Sequence, residues 1–349
     1  MNILFTCAGR RNYLLKYFKS ALDNKGLILA ADMELSAPAL QVADLKFVVP
    51  SIFSKDYIRV ILEICRSNKV KALISLNDLE LPILAANSRL FKKIGVRLLV
   101  SDFDIIDTCF DKWKTFKFCN DTNLPAPLTF VDKDEAMKAI KEGKLNFPLI
   151  IKPRWGSASI GIETVNNRRE LPTVYNFVKR RIQNSILGKP EYTNRENSLL
   201  IQEKLIGTEY GVDILNDLKG TPVRVFVKEK LSMRAGETDR AVIRYEPDLI
   251  QIALKTGSSL KHIGNLDCDY IKKNETYYLL EMNPRFGGGY PFSHMAGANY
   301  PAAICSWLSG RKFEFDDRII KSNTIFSKFD DIIEIRHFSK GYLPHSKDN

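Results

Sequence analysis

Short apolar runs recur at 2–7, 27–31, 46–49, 71–75 and 96–100, and between them lie stretches near 11–23, 55–67 and 79–93 that read as helices. Strand and helix in alternation predict a parallel sheet. The strands are almost continuously hydrophobic, as strands covered on both faces must be, and ligands of such a sheet sit at the carboxyl ends of its strands. That rule points to Gly9, Arg10, Asp32, Asn77, Asp78 and Glu80. The first turn, CAGRRNY, has one glycine where a dinucleotide fold needs three, although Asp32 falls where a ribose-binding acid would. A tight turn at Gly9 and a strand-end cap at Asp32 read the same residues equally well.

After about residue 110 the alternation stops. A charged helix over 111–121, prolines at 125 and 127, a helix over 133–142, a strand over 147–153 and a helix near 170–182 come first. The polar stretch 184–197 reads as an exposed loop before a strand at 199–205. Strands then follow at 209–216, 222–232, 260–269 and 276–282, with a helix near 247–257. This is an α+β pattern, with an antiparallel sheet that carries charged residues on one face.

With 45% hydrophobic and 27% charged positions over 349 residues, the chain can bury a full core, which excludes a disordered or collagen-like protein. No apolar run reaches the roughly 18 to 20 residues of a membrane span, and the apolar start at 2–7 is too short for a signal-peptide core, so a cytoplasmic protein is expected. The six cysteines form no CxxC and the four histidines no HExxH, so neither a disulfide framework nor a zinc site is indicated. The net charge of +11 is spread along the chain, which suits a small anionic substrate such as a nucleotide at least as well as a nucleic acid, whose partners more often show a clustered basic stripe.

Four segments carry candidate chemistry. In FPLIIKPRWGSASIGI, Lys152 closes an apolar strand, where a buried ammonium costs several kcal/mol unless an anion neutralises it. The small residues Gly156, Ser157, Ser159 and Gly161 that follow can turn backbone N–H groups toward phosphate oxygens, although a β-hairpin turn has the same composition. In LLEMNPRFGGGY, Glu281 and Asn283 share a strand face as hard oxygen donors suited to Mg²⁺ and Arg285 can stabilise a transferring phosphoryl group, where any one alone reads as a solvated strand face; Gly288 allows backbone approach to a substrate or simply makes a turn. The preceding HIGNLDCDY offers Asp267 and Asp269 on one face, with Asp267 preferred as a third metal ligand. In IQEKLIGTEYGVD, Glu203, Lys204 and Leu205 can wall a purine and Glu209 can accept from ribose hydroxyls, although a charged surface hairpin has the same pattern. Lys230, Arg234 and Arg240 are cations that could clamp a carboxylate, and a charged strand and loop in water explains them as well.

In this order, DKWKTFKFC, FPLIIKPRWGSASIGI, IQEKLIGTEYGVD and EMNPRFGGGY resemble the ATP-grasp superfamily, and within it the carbamoyl-phosphate-synthase-like branch. The resemblance implies an ATP-grasp fold of α/β and α+β parts. Its N-terminal parallel-sheet (pre-ATP-grasp) domain would span 1–110, a first subdomain with the glycine-rich loop 111–205, and a C-terminal subdomain with the metal and substrate site 206–349. It further implies that Lys112 and Lys152 contact ATP phosphates, that the loop from Gly156 to Gly161 folds over them, and that Glu203, Lys204 and Leu205 line the adenine with Glu209 on the ribose. Asp267, Glu281 and Asn283 would hold Mg²⁺ or Mn²⁺, Arg285 would face the γ-phosphate, and Arg10, Asp78, Lys230, Arg234 and Gly288 are candidates for the substrate side. Arg154 and Trp155 ahead of the loop depart from the pattern and leave its closure open.

The implied activity is an ATP-dependent carboxylate–amine ligase that makes an amide through an acyl phosphate and releases ADP and phosphate, for example joining an amino acid or small acid to an amine-bearing metabolite or amino sugar. Phosphorylation of bicarbonate or carbamate is the enzyme alternative, and a nucleotide-binding regulator without catalysis the alternative of another class. Expected partners are the small carboxylate and amine, with no nucleic acid and no membrane. Homodimers are common among proteins of this resemblance, and no residue here demonstrates one.

Overall fold

Five strands, β1 (Asn2–Thr6), β2 (Ile28–Asp32), β3 (Leu45–Val48), β4 (Val70–Ser75) and β5 (Arg97–Leu98), form a parallel sheet in the order β3-β2-β1-β4-β5. The structure, a computed structural model, describes residues 1–156, 161–185 and 198–335. Alternation along the strands divides the core in two. Ile3 and Phe5 pack with Leu14 and Phe18 of α1 (Asn12–Leu22), whereas Leu4, Leu29 and Leu73 pack with Val60, Ile61 and Ile64 of α3 (Tyr57–Ser67). The short helix α2 (Pro38–Val42), opened by its proline, was not expected from the sequence. The helix expected over 79–93 is two, α4 (Leu81–Ala86) and α5 (Ser88–Lys93), broken at Asn87, whose side chain donates to the Ile83 carbonyl at 2.8 Å.

Helices α6 (Phe103–Phe110) and α7 (Lys112–Asp121) lead into a four-stranded antiparallel sheet of order β6-β9-β7-β8. Its strands are β6 (Thr129–Phe130), β7 (Leu149–Pro153), β8 (Glu163–Val165) and β9 (Leu199–Glu203), and α8 (Lys133–Lys141) and α9 (Leu171–Gln183) cover it with Ala136, Ala139, Val178 and Ile182.

A six-stranded antiparallel sheet follows, with β10 (Thr208–Asn216), β11 (Pro222–Arg234), β12 (Glu237–Arg244), β13 (Gly264–Lys273), β14 (Thr276–Asn283) and β15 (Ile325–Ser327) in the order β14-β13-β10-β11-β12-β15. Helix α10 (Pro247–Leu260) is closed by Lys261 in the left-handed region, φ 58°, so β13 starts later than the expected 260. The segment around 234–240 is a hairpin: Ala235 and Gly236, with φ 50° and 78°, supply the two positive-φ positions that a tight turn between twisted strands requires.

Two final helices, α11 (Tyr290–Met295) and α12 (Tyr300–Leu308), put Tyr290, Phe292, Tyr300 and Ile304 into the same core as Ile3, Phe5 and Phe18. The parallel sheet is thereby fixed with the carboxyl ends of β1 and β4, where the strand order reverses, beside the loop that leaves β14. No described helix is long and apolar enough to cross a membrane.

Candidate active site

Register brings the acids together. Asp267 lies opposite Asn283 on β14 and opposite Asp213 on β10, and Asp269 lies opposite Glu281 and Gly211. Residues paired across antiparallel strands share a face, so Asp213, Asp267, Asp269, Glu281 and Asn283 all project to one side. Val212, Ile214, Leu266, Cys268 and Met282 project to the other, into the core that includes Leu249 and Ala253 of α10. From β11 the charged face receives Lys228 and Lys230. Lys230 lies 2.7 Å from Asp269 and 4.0 Å from Glu209; burial opposes its charge, but Asp269, Glu209 and Asp267 hold its pKa above the ordinary lysine value. Lys228 is buried against Asp213, which also accepts from Ser293 at 2.6 Å and from Asn265 at 3.1 Å, tying α11 to the sheet.

The cations facing this surface come from the first antiparallel sheet and the helix before it. Asp111, 1% exposed, caps α7 by accepting from the backbone of Trp113 and Lys114 and receives both ends of the Arg154 guanidinium, at 2.7 and 2.6 Å. Lys112 N–H donates to the Arg154 carbonyl at 3.0 Å, so the end of β7 and the start of α7 are clasped. Arg154 and Trp155 are thus a fixed part of the frame. From this frame Lys112 donates to the Gly156 carbonyl and comes to 3.8 Å from Glu281 Oε2. Lys152 donates to Gln202 Oε1 at 2.8 Å, and Gln202 donates onward to Thr129 at 2.7 Å. Burial, reinforced by Lys112 and opposed by Glu281, brings the Lys152 pKa down to about 8.

Arg285 joins the acidic face to the parallel-sheet domain. It is buried, donating to Asp78 from the turn after β4 at 2.8 Å and to Asp267 at 2.9 Å. Burial alone would raise the Asp78 pKa, but Arg285, Arg11 and Lys112 keep it below the usual carboxylate value. Asp78 Oδ1 and Arg285 Nε are buried without a hydrogen-bond partner. Arg11, from the turn after β1, donates to the Phe286 carbonyl, which Arg285 Nη1 also approaches at 3.5 Å. Beside them Glu80, fully buried, accepts from Thr6 at 2.9 Å, Ser75 at 2.6 Å and Tyr57, tying the ends of β1 and β4 together. The glycine loop threads between two carboxylates: a Cβ at Gly287 would lie 2.2 Å from the Asp267 carboxyl group, and one at Gly288 2.5 Å from that of Glu237. Only glycine permits this approach.

Of the residues singled out from the sequence, Asp78, Lys112, Gly156 and Asn283 line one small cavity; Glu281 lies 3.8 Å from Lys112, Arg285 links Asp78 to Asp267, and Gly288 packs on Glu237. Lys230 and Glu209 lie on the same charged face. Glu203 pairs with Lys273 at 3.0 Å, Lys204 donates to Thr164 at 3.1 Å, and Leu205 is buried. Gly161 adopts φ 73°, whereas Ser157 and Ser159 lie outside the described residues. Arg234 lies apart from these: it is half exposed at the hairpin and pairs with Asp239 and Asp330. Arg10 and Arg240 are exposed, and in the first turn it is Arg11 that reaches the glycine loop. Sequence reasoning missed Arg11, Gln202, Asp213, Lys228 and Glu237; alternation along 222–232 could have placed Lys228 beside Lys230, but nothing local marks the others.

Among the described residues no group of three or more His, Cys, Asp or Glu side chains is placed to hold a metal by itself. The donor set here is mixed, carboxylates with the Asn283 amide on one face, and Mg²⁺, which takes few protein oxygens and completes its shell with phosphate and water, fits it.

Two family models match the chain, one described as the PylC-like N-terminal domain over residues 3–99 and one described as ATP-grasp in the biosynthetic pathway with Ter operon over residues 195–325. The fold is similar to the biotin carboxylase domain of Hydrogenobacter thermophilus 2-oxoglutarate carboxylase, solved with MgADP, ADP and bicarbonate, at 15% identity and TM-score 0.72 over 93% of this chain and 73% of that one. An L-amino acid ligase from Bacillus licheniformis matches at 16% identity and TM-score 0.66, over 87% of this chain and 74% of its own. N5-carboxyaminoimidazole ribonucleotide synthetase from Thermotoga maritima matches at 16% identity and TM-score 0.62, over 93% and 77%.

Proposed function

The chain is an ATP-grasp protein with a PylC-like N-terminal domain, and from that premise we propose that it is an ATP-dependent carboxylate–amine ligase, forming an amide through an acyl phosphate with release of ADP and phosphate. The observation that carries the reading is the convergence of Lys112, from helix α7, on Glu281, from strand β14, 3.8 Å apart, with the buried Lys152 beside them. Two lysines and an acidic face confronting one another across a cleft suit a polyphosphate whose charge is balanced from both sides.

In this reading Lys112 and Lys152 hold the phosphates under the loop from Gly156 to Gly161. Glu203, Lys204 and Leu205 flank the base, and Glu209 accepts from the ribose. Asp267, Glu281 and Asn283 hold Mg²⁺, which neutralises charge on the phosphate oxygens when bound. Arg285 faces the γ-phosphate. A carboxylate oxygen attacks the γ-phosphorus; the bond to the β–γ bridging oxygen breaks and ADP leaves with the electron pair. The amine nitrogen then attacks the acyl carbon, the bond to the phosphate oxygen breaks, and the nitrogen loses its proton. Phosphoryl transfer needs positioning and charge neutralisation more than covalent help, which is what buried lysines, Arg285 and its fixed partners supply. The acids and amines we favour are an amino acid or other small acid and an amine-bearing metabolite or amino sugar.

The test is ADP release in the presence of MgATP and panels of carboxylates, with hydroxylamine as a general amine that traps acyl phosphates as hydroxamates. Acid-dependent ADP release with matching hydroxamate supports ligation. Turnover with bicarbonate alone would assign the chemistry to bicarbonate phosphorylation, and ADP release that no acid stimulates would overturn the ligase reading.

A further inference from the structure

Beside the glycine loop charges of both signs meet. Glu237 is half exposed, and its Oε2 is held by Lys328 at 3.1 Å. Its Oε1 has no donor within hydrogen-bonding distance among the described residues and faces Arg11 Nη2 at 4.0 Å. Lys328 is itself anchored, since its backbone N–H donates to the Asp239 carbonyl at 2.8 Å next to β15. One oxygen of Glu237 is therefore fixed and the other is open. Arg11 uses Nη1 on the Phe286 carbonyl, which leaves Nη2 facing Glu237, and Arg285 approaches the same carbonyl from the metal side. Two guanidinium groups thus flank one point of the loop, one of them joined to Asp267 and the other 4.0 Å from an open carboxylate oxygen.

From these contacts we infer that the carboxylate substrate is an α-amino acid, read as a zwitterion by Arg11, Arg285 and Glu237; this rests on the ligase reading above. The substrate carboxylate lies between Arg11 and Arg285, where it meets the γ-phosphate, and its ammonium donates to Glu237 Oε1. An α-amino acid separates its nitrogen from its carboxylate oxygens by about 3 Å, set by covalent geometry. Placed alongside an Arg11–Glu237 pair 4.0 Å apart, it completes a ring in which every charge has opposite neighbours. The glycine at 288 is part of the device, because any side chain there would displace the Glu237 carboxylate. A simple carboxylic acid would fill the guanidinium side and leave Glu237 Oε1 unanswered.

The experiment compares amino acids with their desamino partners, L-alanine with propanoate, L-leucine with 4-methylpentanoate and L-glutamate with glutarate, by hydroxamate formation with MgATP and hydroxylamine in the intact protein. At least one amino acid should exceed its partner by roughly a hundredfold in kcat/KM, the scale of losing a polar contact in a partly exposed site. Glu237→Gln should bring that ratio below about ten while nucleotide affinity is retained, and Glu237→Asp should keep most of it. Equal use of a desamino acid, survival of the ratio in Glu237→Gln, or turnover confined to acids without an amino group would each overturn the inference and leave the ligase reading standing. ADP release that no acid stimulates would remove the ligase reading and the inference with it.

Discussion

The buried ammonium of Lys152 makes nucleotide binding pH-linked in a way that can be measured. Its pKa lies at about 8 because burial removes solvent from the charge and Lys112 repels it, with Glu281 pulling the other way. At pH 8.5 the nucleotide-free site is then about one quarter protonated. Bound phosphates favour the charged form, so MgADP binding at pH 8.5 should take up about 0.7 proton per site from this group, and almost none at pH 6.5, where the lysine is already charged. Calorimetric titrations in buffers of different ionisation enthalpy read the uptake directly, and Lys152→Met should abolish its contribution. The same shift fixes a stability sign. The folded pKa lies below the unfolded value of 10.5, so the folded state binds fewer protons between pH 8 and 10.5 and gains stability as pH rises through that window. The penalty, roughly 3 kcal/mol, is full below pH 8; Lys152→Met should therefore be the more stable protein at pH 7, with the gap closing by pH 10.5. Equal proton uptake by wild type and Lys152→Met, or none in wild type at pH 8.5, would refute the reasoning.

Glu281→Gln keeps the side-chain shape but removes a negative charge from the proposed metal site. Magnesium-dependent nucleotide affinity, read by Mg²⁺ titration of binding, should weaken roughly a hundredfold, and an unchanged Mg²⁺ dependence would reject Glu281 as a ligand. Asp111→Ala removes a helix cap and leaves the Arg154 guanidinium, 18% exposed, without its partner. Urea denaturation should show a loss of about 3 kcal/mol, and a loss under about 1 kcal/mol would mean that the clasp between β7 and α7 is not structural.

What could be read in the sequence was what local periodicity encodes. The β1 and β4 strands are short and apolar because both faces are covered, and the alternation of Glu281 with Asn283 and of Asp267 with Asp269 gave their shared face before their pairing was known. The pairing itself, Asp267 opposite Asn283, is a matter of register, which no single strand records. The break at Asn87 was missed because an apolar helical repeat runs through it, and the late start of β13 because helix α10 continues to Leu260. Contacts across the whole chain were out of reach. Arg11 and Glu237 are joined by the packing of α11 and α12 against the parallel sheet, and Arg154 reads as an intrusion before the glycine loop until Asp111 is seen to hold it. Arg234 shows the converse: a cation in a motif-rich segment that the hairpin turns outward to Asp239 and Asp330.

The central claim is that one cleft gathers Lys112 and Lys152 from one side and Glu281 and Asn283 from the other around a triphosphate. A crystal structure with Mg²⁺ and a nonhydrolysable ATP analogue tests it most directly. The account predicts the terminal phosphorus within about 6 Å of both the Glu281 carboxylate and the Lys152 ammonium, the reach of one Mg²⁺ bridge with bonds of about 2.1 Å. A terminal phosphate bound elsewhere, with Glu281 and Asn283 still facing only protein and water, would contradict it.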